Sequence, residues 1–325
     1  MSHPWMLRLV LGALWFIGIE LLPWAAPAVR APWEWPLLVA GYIALAAILL
    51  DTAARYRLRD GYGLMALAGL AGLTAALLFN PDYALANPPM TWFTRAMGAL
   101  TLGALVGLLV FLRLARPIRR RWAVLILLLA APAGALWGFW ARWSPLALDA
   151  AASPTTREPL TLTLIVSGAL VIGTLALAAR THDEAHRDLR LPLPILAVLL
   201  LTLLGVLVVR VLNESVDTFS VVALPILGLI CLGILYYQKR IKGPTLLDPL
   251  PDLPPRRWFL LTIPVVLLAA GGAIAGAHAM RGAPDSDGIA LLSAAITAFG
   301  FLWLPGMALA IAARAFSRLA RTERL

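Results

Sequence analysis

Long apolar runs alternate with short polar gaps along almost the whole chain. Ten of these runs are close to the roughly 20 residues that an apolar helix needs to cross a hydrocarbon core of about 30 Å. They predict membrane-spanning helices at residues 5–22, 33–50, 62–79, 93–112, 122–140, 160–179, 193–209, 218–237, 258–279 and 289–312. The pattern therefore predicts an all-α, polytopic integral membrane protein with about ten transmembrane helices.

Basic residues lie mostly in every second gap. Of the 27 lysines and arginines, 21 lie in the gaps after even-numbered spans or near the two chain ends. Loops rich in basic residues stay in the cytoplasm, so this distribution predicts a multi-pass protein of the cell (plasma) membrane with both termini cytoplasmic. The formal net charge of +10 then indicates no nucleic-acid partner. The predicted partners are the lipid bilayer and the anionic lipids of its inner leaflet.

Composition excludes the class of soluble globular proteins. The chain is 61% hydrophobic and 14% charged, and its mean hydropathy is +0.84, whereas about 25% of the residues of a soluble domain are charged. Cys231 is the single cysteine and lies in the eighth predicted span. An internal disulfide is therefore excluded, and Cys231 is expected to behave as a small hydrophobe.

The gaps are too short for a separate soluble domain, so residues 1–325 form a single transmembrane domain. A proline-rich cytoplasmic connector is predicted at 238–257. Ten spans also divide into halves, 1–140 and 160–312, of five spans each. An odd number of spans per half inserts the second half upside down, which gives the 5+5 inverted repeat found in secondary transporters. This layout, with its length and cytoplasmic termini, is similar to that of the drug/metabolite transporter superfamily, although no motif carries the resemblance.

Small residues and prolines recur at corresponding places in the two halves. The fourth span of each half has two glycines four residues apart, and the fifth has a proline followed by a glycine, which predicts a break in the middle of the span. If the protein is a carrier, backbone groups freed at these breaks line its substrate cavity. The cavity candidates are Pro132, Gly134, Thr297, Trp303, Pro305 and Gly306. The alternative is that glycine and proline are simply common in membrane helices.

Ionisable residues within the spans lie near the outer ends and not at the midplane. Such residues are costly in a membrane and often functional. Glu20, Glu34, Arg95 and Arg210 are therefore candidates for an outward-facing polar vestibule. The alternative is that each reaches the lipid headgroups or pairs with a neighbour. Without carboxylates at the midplane, a hydrophobic or amphiphilic cargo fits better than a strongly polar one.

One polar segment has metal-like spacing. His182 and His186 would share one face of a helix, as two zinc ligands do. No third ligand is evident in the sequence, so they are weak metal candidates beside the alternative of a solvated cytoplasmic turn. The sequence predicts no catalytic residue and no cofactor.

Three functions remain open. The first is a transporter or flippase for a small hydrophobic or amphiphilic substrate. The second is a non-catalytic structural or accessory subunit that binds other membrane subunits in a larger complex. The third is a membrane enzyme for a lipid-linked substrate, with Asp82 or Glu34 as the base. Because no catalytic motif is present, we expect a protein that is not an enzyme.

Overall fold

The computed structural model describes residues 3–22, 34–114, 119–143, 157–180, 189–239, 243–247, 256–279 and 287–322. Every regular element within these ranges is helical. The helices are α1 (His3–Trp15), α2 (Glu34–Arg55), α3 (Gly61–Leu78), α4 (Pro81–Ala84), α5 (Thr101–Leu114), α6 (Arg120–Trp143), α7 (Arg157–Arg180), α8 (Leu193–Leu212), α9 (Thr218–Lys239), α10 (Arg256–Ala279) and α11 (Asp287–Thr322). Two π-helical segments, π1 (Phe16–Leu21) and π2 (Trp92–Leu100), extend α1 and precede α5.

The class predicted from the sequence, a polytopic helical membrane protein, is confirmed. Within the described residues, nine helices are long and apolar enough to cross a membrane. The exception among the ten predicted spans is α7, whose apolar stretch runs from Thr161 to Leu177. Those 17 residues rise only about 26 Å at about 1.5 Å per residue, slightly less than the hydrocarbon thickness.

Burial separates the central helices from the peripheral ones. In the first span, Pro4–Leu21, 78% of the residues are buried, and in Gly61–Leu78 the share is 72%. In Leu193–Leu212 it is only 6%. The N-terminal helices therefore form the packed core, whereas α8 lies at the edge with a nearly continuous apolar surface exposed.

Helix α3 is the centre of the packing. It contacts α5, π2, α8 and α9. Helix α1 packs on α2, α5 and α7, while α10 packs on α6 and α7. The last helix, α11, packs mainly on π2. Sequence neighbours are thus not always packing partners, because α6 and α11 both lie against helices distant in the chain.

Small residues allow two of these helix pairs to approach closely. A Cβ at Gly134 of α6 would collide with the backbone of Ala269 in α10, and one at Gly272 of α10 would collide with that of Ala131. At the other pair, a Cβ at Gly300 of α11 would collide with the carbonyl of Phe93 in π2. Backbone contact of this kind is typical of membrane helices that pack through glycine.

The mid-span breaks predicted at two prolines do not occur. Helix α6 runs through Pro132 and α11 runs through Pro305 without interruption. A proline inside a helix removes one backbone hydrogen bond but does not have to end the helix in a membrane, where neighbouring groups can satisfy the freed carbonyl.

Candidate functional site

The two π-helical segments each carry one buried charged residue. Glu20 lies in π1 and Arg95 in π2, and each is 6% exposed. The wider winding is supported locally, because the Thr101 hydroxyl donates to the Ala96 carbonyl (2.9 Å). The segments also contact each other. Single π-helical turns are rare and are often found at functional sites, so the contact between π1 and π2 is a candidate functional site.

The Glu20 carboxylate is held by two side chains from other elements. The Tyr42 hydroxyl in α2 donates to Oε2 (3.1 Å), and the Asn80 amide, just after α3, donates to the same oxygen (2.5 Å). Both donors are buried, at 0% and 1% exposure. Burying a carboxylate costs several kcal/mol unless it is hydrogen-bonded or paired. These donors therefore offset part of the cost of placing a carboxylate inside the bundle.

Four aromatic rings are grouped next to Glu20, and we call them the aromatic cluster: Phe16, Trp35, Tyr42 and Phe79. Phe16 makes edge contacts with Trp35 and Tyr42, with ring centroids 6.0 and 5.8 Å apart. Tyr42 and Phe79 are 4.8 Å apart. Trp35, the second residue of α2, is the only half-exposed member, whereas the other three rings are buried. The cluster thus reaches from the bundle interior to one end of α2.

Arg95 is directed at the short helix α4. Its Nη1 donates to the Tyr83 carbonyl (2.6 Å), and its guanidinium carbon lies 4.7 Å from the centroid of the Tyr83 ring. Burial raises the pKa of the Tyr83 phenol well above its usual value, while the Arg95 charge acts in the opposite direction. Tyr83 is therefore neutral at physiological pH, and its ring and carbonyl hold the arginine in place.

Three of the four predicted vestibule residues meet at one turn. Arg210 Nε donates to the Leu78 carbonyl (3.2 Å), at the end of α3. Glu20 and Arg95 are bonded to Asn80 and Tyr83, within the next five residues. Glu34 is the first residue of α2 and is half-buried beside Trp35. The sequence thus identified charged residues that the structure gathers around one turn, and their role as a substrate vestibule stays a prediction.

The six cavity candidates have different surroundings. Gly134 is packed on Ala269, and Trp303 donates from its ring nitrogen to the Met97 carbonyl (2.9 Å). Thr297 is half-buried. The other three have exposed surfaces: Pro132, Pro305 and Gly306. The contacts given above do not join these six residues to one another, and the cavity stays a prediction.

A second group of polar residues joins the two halves of the chain at the ends of α1 and α2 that lie away from Glu20. The sequence did not predict this group. Asp51, 2% exposed, accepts from the backbone nitrogen of Leu191 (2.7 Å) and from Arg55 Nε (2.6 Å). Arg8 donates to the Leu189 carbonyl (3.1 Å). These bonds attach the segment that leads into α8 to α1 and α2. The only sequence signal was the four-residue spacing of Asp51 and Arg55 on one helix face.

Helix α9 is hydrogen-bonded to neighbours at both of its ends. At its start, Asp217 accepts from the Ser220 backbone nitrogen (2.8 Å) and hydroxyl (2.5 Å), and Ser220 accepts from the ring nitrogen of Trp92 (3.1 Å). At its other end, Gln238 donates to Asp60 and accepts from the backbone nitrogen of Arg59. The first group fixes α9 to π2, and the second fixes it to the start of α3.

The predicted metal candidates lie outside the described residues. His182 and His186 belong to the segment 181–188, of which nothing is described. Among the residues that are described, no group of three histidine, cysteine, aspartate or glutamate side chains could hold a metal ion.

Comparison with known proteins gives no relative from which a function could be inferred. No protein-family model, no curated protein and no solved structure matches this chain.

Proposed function

We propose that the protein is a transporter or flippase for a small hydrophobic or amphiphilic substrate, built from two inverted halves of five helices. The observation that carries this proposal is the pattern of helix pairs. With α1–π1 counted as span 1 and π2–α5 as span 4, helices α6 to α11 are spans 5 to 10. Span 5 packs on span 9, and span 10 packs on span 4. Exchanging the two halves adds five to each span number in the first half and subtracts five in the second. This exchange converts the pair 5–9 into the pair 10–4.

Two further pairs are unchanged by the same exchange. Span 1 packs on span 6, and span 3 packs on span 8. Such pairs are expected on either side of a twofold axis that relates the halves. Five spans per half place that axis in the membrane plane, the arrangement typical of carriers that expose one site alternately to the two sides.

The two exchanged pairs also use the same kind of contact. Gly134 in span 5 lies against the backbone of Ala269 in span 9, and Gly300 in span 10 lies against that of Phe93 in span 4. In each case a fifth span of one half packs backbone to backbone on the fourth span of the other half. This similarity agrees with an inverted repeat.

Contacts between the halves are polar at both ends of the α3–α9 region. Ser220 bonds Trp92 at one end, and Gln238 bonds Asp60 at the other. A single hydrogen bond stabilises a protein by only about 0.5–1.5 kcal/mol net, so contacts of this kind can open and close during a transport cycle.

The charged and amide side chains that are buried in the described interior are hydrogen-bonded within the protein, near the ends of the spans. Buried hydroxyls such as Thr101, Thr163 and Thr262 are spread over three different helices. Buried polar groups need hydrogen-bond partners, so a strongly polar cargo would lose more in desolvation than this interior returns. An amphiphile, with one polar end and an apolar body, fits better.

Cysteine pairs that fasten each end of the α3–α9 region test the proposal. In a Cys231→Ser background, a short, reducible bifunctional thiol reagent joins Trp92→Cys to Ser220→Cys at one end and Asp60→Cys to Gln238→Cys at the other. Proteoliposomes are loaded with a panel of small cationic, neutral and anionic amphiphiles, and release is compared with that from protein-free liposomes. We expect faster release of at least one compound, arrest when either pair is cross-linked, and recovery when the cross-linker is reduced. Release equal to that of protein-free liposomes for every compound, or release unaffected by both cross-links, would overturn the proposal.

A second function is favoured by the exposed surface of the later helices. Only Leu203 of α8 is buried, and Pro132, Pro305 and Gly306 are exposed. We propose as the alternative that the protein is a non-catalytic subunit whose exposed helices contact other membrane subunits. Gentle solubilisation of native membranes followed by size analysis distinguishes the two. A fixed, stoichiometric complex without transport in proteoliposomes supports the subunit, and transport by the purified chain alone rules it out as the main function.

A further inference from the structure

We infer that the surface where α6 and α10 begin binds an anionic phospholipid, with its phosphate on arginines and its acyl chains on the exposed face of α6. This site is independent of the proposed transport function. The observation that carries it is a group of arginines at one end of an exposed apolar helix face. We call this group the arginine cluster: Arg113, Arg119, Arg120 and Arg121.

Helices α6 and α10 run parallel and begin at the same end of the bundle. A Cβ at Gly134 of α6 would collide with the backbone of Ala269 in α10, and four residues further on, one at Gly138 would collide with that of Ala273. The contact thus moves in the same direction along both helices. Gly134 lies 14 residues after the first residue of α6, and Ala269 lies 13 after the first residue of α10. The two helices therefore begin at nearly the same depth.

Positive charge is concentrated at this end of the two helices. Three members of the arginine cluster are exposed, and Arg113 at the end of α5 is half-buried. The guanidinium carbon of Arg113 lies 5.7 Å from the centroid of the Trp258 ring. This contact places the end of α5 beside the start of α10, whose first residue is Arg256. Three helix ends thus bring arginines to one region of the surface.

Within the described residues, no acid balances this charge. The chain contains no aspartate or glutamate between Asp82 and Asp149, and the first turns of α6 and α10 contain none either. Among the described residues, no carboxylate is paired with a member of the arginine cluster. The start of a helix carries a partial positive charge and favours an anion. Arginines at two helix starts therefore add to the positive potential, and an external anion would reduce it.

The face of α6 that follows these arginines is apolar and exposed. Leu125, Leu128 and Leu129 are all exposed, as is Trp122 in the first turn. Arg121, Leu125 and Leu128 are four and three residues apart, so they lie on one side of the helix. Trp122 lies between the charged and the apolar parts, the level at which tryptophan is typical in membrane proteins. A phospholipid has the same order of parts, an anionic head followed by apolar chains.

The apolar face distinguishes a lipid from a soluble phosphate. Basic residues anywhere in this gap would set the orientation of the chain in the membrane. Their position directly above exposed leucines is a further feature, and it matches a ligand that has a phosphate and acyl chains in one molecule. With the orientation predicted from the sequence, the lipid belongs to the inner leaflet, where anionic lipids attract basic residues.

Lipid titration of the full chain in neutral detergent, followed by native mass spectrometry, tests the inference. Dioleoylphosphatidylglycerol is compared with dioleoylphosphatidylcholine, which has the same acyl chains but no net charge. Glycerol 3-phosphate, which has no acyl chains, is added as a competitor. We expect the first phosphatidylglycerol to bind at least about tenfold more tightly than the first phosphatidylcholine, without displacement by glycerol 3-phosphate. Equal binding of the two lipids, or displacement by glycerol 3-phosphate, overturns the inference.

Two double variants assign the binding to this place. Arg120→Gln with Arg121→Gln should weaken phosphatidylglycerol binding about fivefold for each arginine, the equivalent of about 1 kcal/mol each. Arg57→Gln with Lys239→Gln removes the same charge from the region between the end of α9 and the start of α3, and should change the affinity little. All four side chains are exposed, so both variants should fold. Equal losses in the two variants would show a diffuse effect of net charge and contradict the site.

Phosphatidylglycerol with a photoactivatable group in one acyl chain locates the chains of the bound lipid. Helix α8 is the internal comparison, because it exposes a larger apolar surface and only Leu203 of it is buried. The ratio of labelling on residues 122–129 to labelling on α8 should be higher for this lipid than for phosphatidylcholine with the same photoactivatable chain. The same ratio for both lipids would show contact with bulk lipid alone and overturn the inference.

Discussion

The side-chain amide of Asn80 donates a 2.5 Å hydrogen bond to the carboxylate of Glu20, which lies 60 positions earlier in the chain. This bond joins the end of the first span to the turn that follows α3. Both residues are almost fully buried, so water cannot take the place of either hydrogen-bonding partner. The relationship makes Asn80 a structural support of the buried Glu20 carboxylate.

Asn80→Ala should destabilise the protein by about 1–3 kcal/mol, because it leaves a buried carboxylate oxygen with one donor fewer. Asn80→Asp should cost more, since it puts a second negative charge beside Glu20. Thermal unfolding in nanodiscs measures both effects. Asn87→Ala is the matched control, because Asn87 is exposed in the same loop and its replacement should change the unfolding temperature little. Equal stability of the Asn80 and Asn87 variants would contradict a supporting role.

Asp217 should contribute stability that depends on pH. Desolvation raises the pKa of this largely exposed carboxyl, but the hydrogen bonds from Ser220 and from nearby backbone together outweigh it and lower the pKa below its usual 3.8. A lowered folded-state pKa means that the stabilisation is present above the unfolded value and is lost as the pH falls through the folded value. Asp217→Ala should cost about 1 kcal/mol at pH 7 as a lost helix cap.

The comparison between wild type and the Asp217→Ala variant should be made by urea unfolding from pH 7 downward. The difference in unfolding free energy is expected to be constant above pH 5 and to shrink below pH 4. A difference that is independent of pH over this range would show that the cap does not act through its charge. Thr218→Ala, which replaces an exposed neighbour, serves as the control.

Gly300→Ala and Gly306→Ala, both in α11, should differ in their effect on the stability of the protein. A Cβ at Gly300 collides with the Phe93 carbonyl, whereas nothing lies within 4 Å of one at Gly306. Overpacking of a close contact costs about 1–3 kcal/mol, so Gly300→Ala should lower the unfolding temperature. Gly306→Ala should leave it unchanged or raise it slightly, since alanine favours a helix by up to about 1 kcal/mol over glycine. Loss of stability in both variants would show that α11 does not pack on π2 through Gly300.

The orientation in the membrane is also testable. The distribution of basic residues predicts that Asp82 is outside and Arg119 inside. Single cysteines at these positions in a Cys231→Ser background should react with an impermeant maleimide from opposite sides of sealed vesicles. Labelling of the Asp82 position from the cytoplasmic side, or of the Arg119 position from the outside, would reverse the predicted topology.

The sequence predicted the positions of many helices, but it did not predict which side chains are in contact in the folded protein. The predicted spans at 193–209 and 258–279 correspond to Leu193–Leu212 and Arg256–Ala279, because a membrane imposes a fixed length on apolar helices. Arg210 was expected near the end of a span, and it is part-buried there with its bond to Leu78. The helices around Pro132 and Pro305 were expected to be broken and are continuous.

Partners were harder to predict because they depend on tertiary packing. Tyr42 and Asn80 lie 22 and 60 positions from Glu20, and neither helical periodicity nor charge patterning relates residues so far apart. Asp51 directly follows the span predicted at 33–50, and its burial against Leu191 could not be predicted from that position. A tyrosine in an apolar run resembles any other large core residue until the neighbouring helix is known.

The exposed position of α8 has a consequence for biogenesis. This helix combines the highest mean hydropathy of the candidate spans, 2.9, with the lowest buried share, so it is expected to insert into lipid without help from the other helices. Few apolar contacts then remain to hold α8 against the other helices. Its docking depends on polar bonds at its two ends, from Leu191 to Asp51 and from Arg210 to Leu78. During synthesis α8 would therefore join the bundle late, and a defect in either bond would leave a correctly inserted helix that fails to assemble.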